Sequence, residues 1–112
     1  MNKLRILFVC GRNQWRSPTA ERIYKNDPRI EVRSAGVSSK SKQTIQAKDI
    51  EWADLILVME RKYSSRIRNM FRDLDLPKMN SLDIPDEYQF MDEALIDRLK
   101  EGVEFELERH FE

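Results

Sequence analysis

The stretch Ile6-Leu7-Phe8-Val9-Cys10-Gly11-Arg12-Asn13-Gln14-Trp15-Arg16-Ser17-Pro18-Thr19-Ala20-Glu21 decides how the rest of the chain is read. It opens as an apolar run of the kind that fills a strand buried on both faces, and that run ends on the chain's one cysteine. Pro18 suits the first turn of a helix, where its missing N–H costs nothing, and Ala20, Ile23 and Tyr24 give that helix a packing face. Between the two, Cys10 and Arg16 enclose five residues and Ser17 follows at once, a C-x5-R-S pattern. A loop that turns from strand to helix directs backbone N–H groups inward at the positive end of the helix dipole. Gly11, Arg12, Asn13, Gln14, Trp15 and Arg16 are therefore candidate anion-binding residues. Arg16 adds a planar fork able to grip two phosphoryl oxygens. The same positive surroundings favour the thiolate of Cys10, so a reactive sulfur and a phosphate cradle coincide.

Outward from this stretch, Leu4 to Val9 reads as a central parallel strand and Asn26-Asp27-Pro28 as the stop of the first helix. Ile30 to Ala35 alternates apolar and charged residues, which predicts a second strand nearer a sheet edge, completing a βαβ unit. Ser38 to Lys42 reads as a solvated loop, Thr44 to Trp52 as a short helix, and Leu55 to Met59 as a second buried strand. Arg61 to Phe71 has helical spacing through Tyr63, Ile67, Met70 and Phe71, and Leu76 to Leu82 has room for a short last strand. Asp83 to Met91 is a proline-bearing loop with acids and aromatics. Asp92 then reads as an N-cap before a long helix whose apolar face is Leu95, Leu99, Val103 and Leu107. The predicted fold class is α/β: a small open parallel sheet of about four strands, with helices on both faces and right-handed crossovers. In such sheets ligands bind outside the carboxyl ends of the strands, where Cys10 falls.

Composition narrows the function. At 112 residues the chain is expected to form a single domain spanning 1–112. Twenty basic and twenty acidic residues cancel, so no global field favours nucleic acid or an anionic membrane, and anion binding must be local. No window approaches the roughly 18 apolar residues of a membrane span, and Met1 to Arg5 runs into a strand rather than a signal-peptide core; the expectation is a cytoplasmic protein. One cysteine excludes an internal disulfide, and with His110 as the one histidine it also excludes a Cys/His zinc cluster. His110 reads as a surface residue near a frayed terminus.

Val9-Cys10 through Arg16-Ser17-Pro18-Thr19-Ala20-Glu21 resembles the phosphate loop of the low-molecular-weight protein tyrosine phosphatases. The likeness continues in Ser34-Ala35-Gly36 at the end of the second strand, Val58-Met59-Glu60 at the end of the third, and Pro85-Asp86-Glu87-Tyr88, which is similar to the family's acid-bearing loop. The chain is short for that family between Gly36 and Asp54, where longer members carry an extra helix and loop beside the active site.

The resemblance implies a two-step phosphatase whose mechanism requires no metal or cofactor. Cys10 is the nucleophile and passes through a phosphocysteine intermediate; Arg16 and the loop amides hold the equatorial oxygens; Ser17 hydrogen-bonds the sulfur; and Asn13 braces the loop. Asp86 is the choice for the acid that protonates the leaving oxygen, with Asp83 its rival. Trp15 stands at or beside the place where the family often has a second cysteine, so no disulfide forms within the loop; Trp15 and Tyr88 are the candidate aromatic walls of a substrate pocket. The implied substrates are a phosphotyrosine protein or a small aryl phosphate. Two alternatives stand beside this reading: a non-catalytic phosphate-binding module of the same fold and, less favoured for want of further cysteines, an arsenate reductase. Physiological substrate and oligomeric state are not legible at this level.

Overall fold

The computed structural model describes residues 3–112; Met1 and Asn2, the start of the stretch read for a leader segment, lie outside them. The chain runs β1 (Leu4–Cys10), α1 (Arg16–Tyr24), β2 (Ile30–Gly36), α2 (Ala47–Trp52), β3 (Leu55–Val58), α3 (Arg61–Met70), β4 (Lys78–Ser81) and α4 (Glu93–Phe111). The strands form one parallel sheet in the order β2-β1-β3-β4. β1 is central because Ile6, Leu7, Phe8 and Val9 are wholly buried, and only a strand flanked on both edges and covered on both faces can satisfy them. β2, with its alternating charges, takes the edge as expected.

The order reverses at β1. The connection through α1 carries the chain outward to β2, and the next one, through α2, carries it back across to β3. With right-handed crossovers, opposite directions of travel put α1 on one face and α2 and α3 on the other. α4 returns to the α1 face, where Tyr24 donates to Glu104 at 2.8 Å, and buries Leu95, Leu99, Val103 and Leu107 against the core. Each such side chain contributes about 1.5–3 kcal/mol of transfer free energy. Its N-cap is Asp92, which accepts from the Ala94 N–H at 3.0 Å. No helix among the described residues is long and apolar enough to cross a membrane.

Several boundaries differ from the sequence expectation. The helix expected over Thr44–Trp52 begins at Ala47, because Thr44 pairs instead with Gly36 in an isolated bridge and the Gln46 N–H is held by the Asp49 carboxylate at 3.0 Å. α1 starts at Arg16, so Pro18 lies within its first turn, as expected. Met59 and Phe71 fall just past the ends of β3 and α3, and β4 is shorter than the Leu76–Leu82 segment allotted to it.

Candidate active site

Cys10 ends β1 at the point where the strand order reverses, the place where open α/β sheets hold their ligands. The loop that follows is clamped from outside. The carbonyls of Cys10, Gly11 and Arg12 accept from the N–H groups of Val37 (3.1 Å), Ser38 (2.9 Å) and Lys42 (3.3 Å), and Ser41 Oγ adds a second donor to Gly11 at 3.3 Å. Because each peptide is trans, carbonyls pinned outward turn the following amides inward. Among the described residues, no protein acceptor takes the N–H groups of Gly11 to Trp15. They are free to act as an anion nest at the start of α1. The short segment after β2 thus braces the loop directly. Gly36 lets it approach: a Cβ there would lie 2.7 Å from the Asn13 nitrogen and 2.8 Å from the Arg12 carbonyl carbon.

Asn13 makes the sharpest bend, with φ of 52°, a left-handed conformation that asparagine tolerates better than most residues. Its side-chain amide is buried and donates to Ser17 Oγ at 2.9 Å and to Ser34 Oγ at 3.0 Å. Ser34 in turn donates to Glu21 at 2.7 Å. Ser17 Oγ stands 3.0 Å from the sulfur of Cys10 and 3.4 Å from the Ala35 carbonyl. Ser17 accepts from Asn13, and its one proton has two acceptors within reach, the sulfur at 3.0 Å and the Ala35 carbonyl at 3.4 Å.

Arg16 is almost wholly buried and is gripped along one edge. Nη1 donates to Glu60 Oε2 and to the Ile84 carbonyl, both at 2.7 Å, and Nη2 donates to Tyr63 Oη at 2.9 Å. Tyr63 closes the triangle by donating to Glu60 Oε2 at 2.9 Å. Three of the five guanidinium hydrogens are thereby used. The Glu60–Tyr63 pair spans the Nη1/Nη2 end, which leaves Nε–H and the outer Nη2–H side by side as a fork. Burial on its own lowers the pKa of Arg16, but the hydrogen bonds to Glu60 and Tyr63, with the nearby Tyr63 and Asp86, outweigh it and raise it. For Glu60, burial acts upward, yet the Arg16 and Tyr63 hydrogen bonds win and its carboxyl lies below the ordinary glutamate range.

Asp86 faces the open edge of the fork, with Oδ1 3.7 Å from Arg16 Nε. Its position follows from its neighbour Ile84, whose N–H donates to the Met59 carbonyl at 2.8 Å while its own carbonyl accepts from Arg16. The acid-bearing loop is therefore threaded between the end of β3 and the arginine. Cys10, Gly11, Arg12, Gln14, Trp15, Arg16 and Asp86 together line a cavity of about 150 Å³.

Not every residue expected at the site lines this cavity. Asn13 and Ser17 lie behind it, buried within the protein, with Ser17 against the sulfur and Asn13 hydrogen-bonded to Ser17. Tyr88 packs half-buried against the hydrophobic core rather than on the cavity wall. Asp83 faces elsewhere: its carboxylate accepts from Ser81 Oγ at 2.7 Å and pairs with Arg61 at 3.5 Å. Sequence reasoning gave Glu60 no role and read Tyr63 only as helix packing. The available signal was a carboxylate at the carboxyl end of the second buried strand.

Residues 5–52 match the model of the family described as low molecular weight phosphotyrosine protein phosphatase. No curated protein matches this chain in sequence at a significant level. Among solved structures, a low molecular weight protein tyrosine phosphatase from Streptococcus pyogenes superposes with a TM-score of 0.79 at 20% identity, over 95% of this chain and 92% of the other. The YwlE arginine phosphatase from Geobacillus stearothermophilus is 28% identical, with a TM-score of 0.65 over 96% of this chain and 97% of its own. The tyrosine phosphatase Wzb from Escherichia coli K30, solved in complex with phosphate, gives 0.72 at 22% identity over 96% and 99%.

Proposed function

We infer the activity from two likenesses: residues 5–52 match the model of the low molecular weight phosphotyrosine protein phosphatases, and the fold is shared with solved phosphatases over nearly the whole chain, which together support reading the protein as a phosphoric monoester hydrolase. We propose that it hydrolyses phosphotyrosine in proteins or small aryl phosphates through a phosphocysteine intermediate. The observation that carries this reading is the convergence of Cys10, the free edge of Arg16 and the Asp86 carboxylate on one small cavity.

In the first step the Cys10 thiolate attacks phosphorus, the S–P bond forms and the bond from phosphorus to the leaving oxygen breaks. Asp86, as the carboxylic acid, gives its proton to that oxygen, so the alcohol leaves neutral. In the second step Asp86, now a carboxylate, takes a proton from water as the water oxygen attacks phosphorus. The S–P bond breaks, releasing inorganic phosphate and restoring the thiolate. Through both steps the Arg16 fork and the amides of Gly11 to Trp15 hold the three equatorial oxygens, where charge is spread in the loose transition state. Ser17 donates to the sulfur and stabilises it as nucleophile and as leaving group. Asn13 holds the loop's bend and orients Ser17. Trp15 is the proposed aromatic wall for the substrate ring.

A second reading has specific support: the 28% identical Geobacillus protein is an arginine phosphatase, and the same nest suits a phosphoryl group carried on nitrogen. Assay of the purified protein on phosphotyrosine and phosphoarginine peptides of the same sequence tests both. Faster turnover of the phosphotyrosine peptide supports the aryl reading, and preference for the phosphoarginine peptide replaces it with the second. Phosphate binding without turnover of either, or of p-nitrophenyl phosphate, leaves the non-catalytic binding module as the function.

A further inference from the structure

Tyr63 lies on α3, far along the chain from the phosphate loop, yet its hydroxyl meets both halves of the anion cradle. It accepts from Arg16 Nη2 at 2.9 Å and donates to Glu60 at 2.9 Å, and its ring lies 5.6 Å from the guanidinium carbon. It also fills the space over the first amide of the nest: a Cβ on Gly11 would stand 3.0 Å from Tyr63 Oη. The residue is buried, so these contacts are made out of water, where hydrogen bonds to a charged group are strongest.

The geometry points to Tyr63 as a positioning residue for the phosphoryl transfer proposed above, a role that rests on that reading. An arginine stem has many rotamers, and without Tyr63 the guanidinium is held through Nη1 alone, by Glu60 and the Ile84 carbonyl. The tyrosine hydroxyl fixes Nη2: its one proton goes to Glu60, so the oxygen presents only a lone pair to Arg16 and accepts from it. The plane of the guanidinium is thereby set, and Nε–H and the outer Nη2–H are aimed into the cavity. The same oxygen sits against Gly11, so the position of the arginine and that of the first loop amide are registered to one atom. This accounts for glycine directly after the nucleophile: its backbone φ is not positive, so freedom to turn is not what that position requires, whereas room for a hydroxyl is.

The experiment is Tyr63→Phe, which keeps the ring and removes the hydroxyl. Steady-state kinetics on p-nitrophenyl phosphate are paired with calorimetric binding of orthovanadate, an anion that adopts five-coordinate geometry on a thiolate. A positioning role predicts a fall in kcat of about tenfold with KM changed less than about twofold, and a loss of vanadate affinity of similar size. Gly11→Ala then costs activity in the parent and much less in the Tyr63→Phe background, where the obstructing oxygen is gone. Parent kcat and vanadate affinity in Tyr63→Phe overturn the proposal. So does a loss of activity that disappears when rates are expressed per folded molecule, which identifies a purely structural role. Equal costs of Gly11→Ala in both backgrounds overturn the link to Gly11. A parent that binds vanadate but turns nothing over contradicts the phosphatase reading instead, and the vanadate comparison still decides the role of Tyr63.

Discussion

Ser17 Oγ lies 3.0 Å from Cys10 Sγ, at the end of a buried chain in which the Asn13 amide donates to both Ser17 and Ser34. The sulfur is the nearer of the two acceptors for the serine proton, the Ala35 carbonyl lying at 3.4 Å, so once Cys10 is a thiolate Ser17→Ala removes a charge-assisted hydrogen bond from it without opening the cavity. The expected result is a loss in kcat of about ten- to a hundredfold with KM nearly unchanged. Slower alkylation of Cys10 by iodoacetate at neutral pH checks the cause independently of turnover.

Asn13 does two jobs that substitution separates. Asn13→Gly keeps access to the left-handed φ of 52° and loses the amide hydrogen bonds, whereas Asn13→Ala loses both. Urea denaturation is expected to rank them parent, then glycine, then alanine, with the alanine variant about 1–2 kcal/mol below glycine for the forced left-handed residue.

Asp86→Asn is expected to slow hydrolysis of a phenyl phosphate by about 10²–10⁴-fold. The loss should be smaller for p-nitrophenyl phosphate, whose leaving group needs less protonation. Asp83→Asn should keep parent kinetics on both esters, since that carboxylate is engaged with Ser81 and Arg61. The leaving-group dependence of the two variants, measured side by side, assigns the acid.

The pH dependence of stability follows from Glu60. Its folded pKa is depressed, so its contribution is fully present above the ordinary glutamate value of 4.5 and is lost as pH falls through the lower folded value. The stability difference between the parent and Glu60→Gln should therefore stay constant from neutral pH down to about that point and shrink below it. Urea midpoints of both proteins across pH 7 to 3 check this.

Much of this was legible in the sequence because it depends on contiguous residues. β1 and β3 are buried apolar runs, the anion loop is a spacing, and the apolar face of α4 is a four-residue repeat; each is a local pattern with a local physical cause. What the sequence did not reveal depends on side chains meeting across the fold. The Arg16–Glu60–Tyr63 triangle joins α1 to the end of β3 and to α3, and the Ile84 carbonyl joins it to the acid loop. Tyr63 has the helical spacing of a packing residue, and nothing in that spacing distinguishes a ring placed for its hydroxyl. The late start of α2 was hidden for a related reason: Thr44 is diverted by a bridge to Gly36, a contact outside the helix that outweighs helical preference at that point.

The central claim is that Cys10 carries the phosphoryl group between the two steps, and trapping that species tests it most directly. Asp86→Asn, mixed rapidly with p-nitrophenyl phosphate and quenched in acid, is to be digested and sequenced by mass spectrometry alongside Cys10→Ser. The account predicts one phosphoryl group on the peptide containing Cys10 in Asp86→Asn, formed in step with the first turnover of nitrophenol, and no turnover in Cys10→Ser. Nitrophenol release by Cys10→Ser at the parent rate, with Cys10 unmodified in Asp86→Asn, would contradict it.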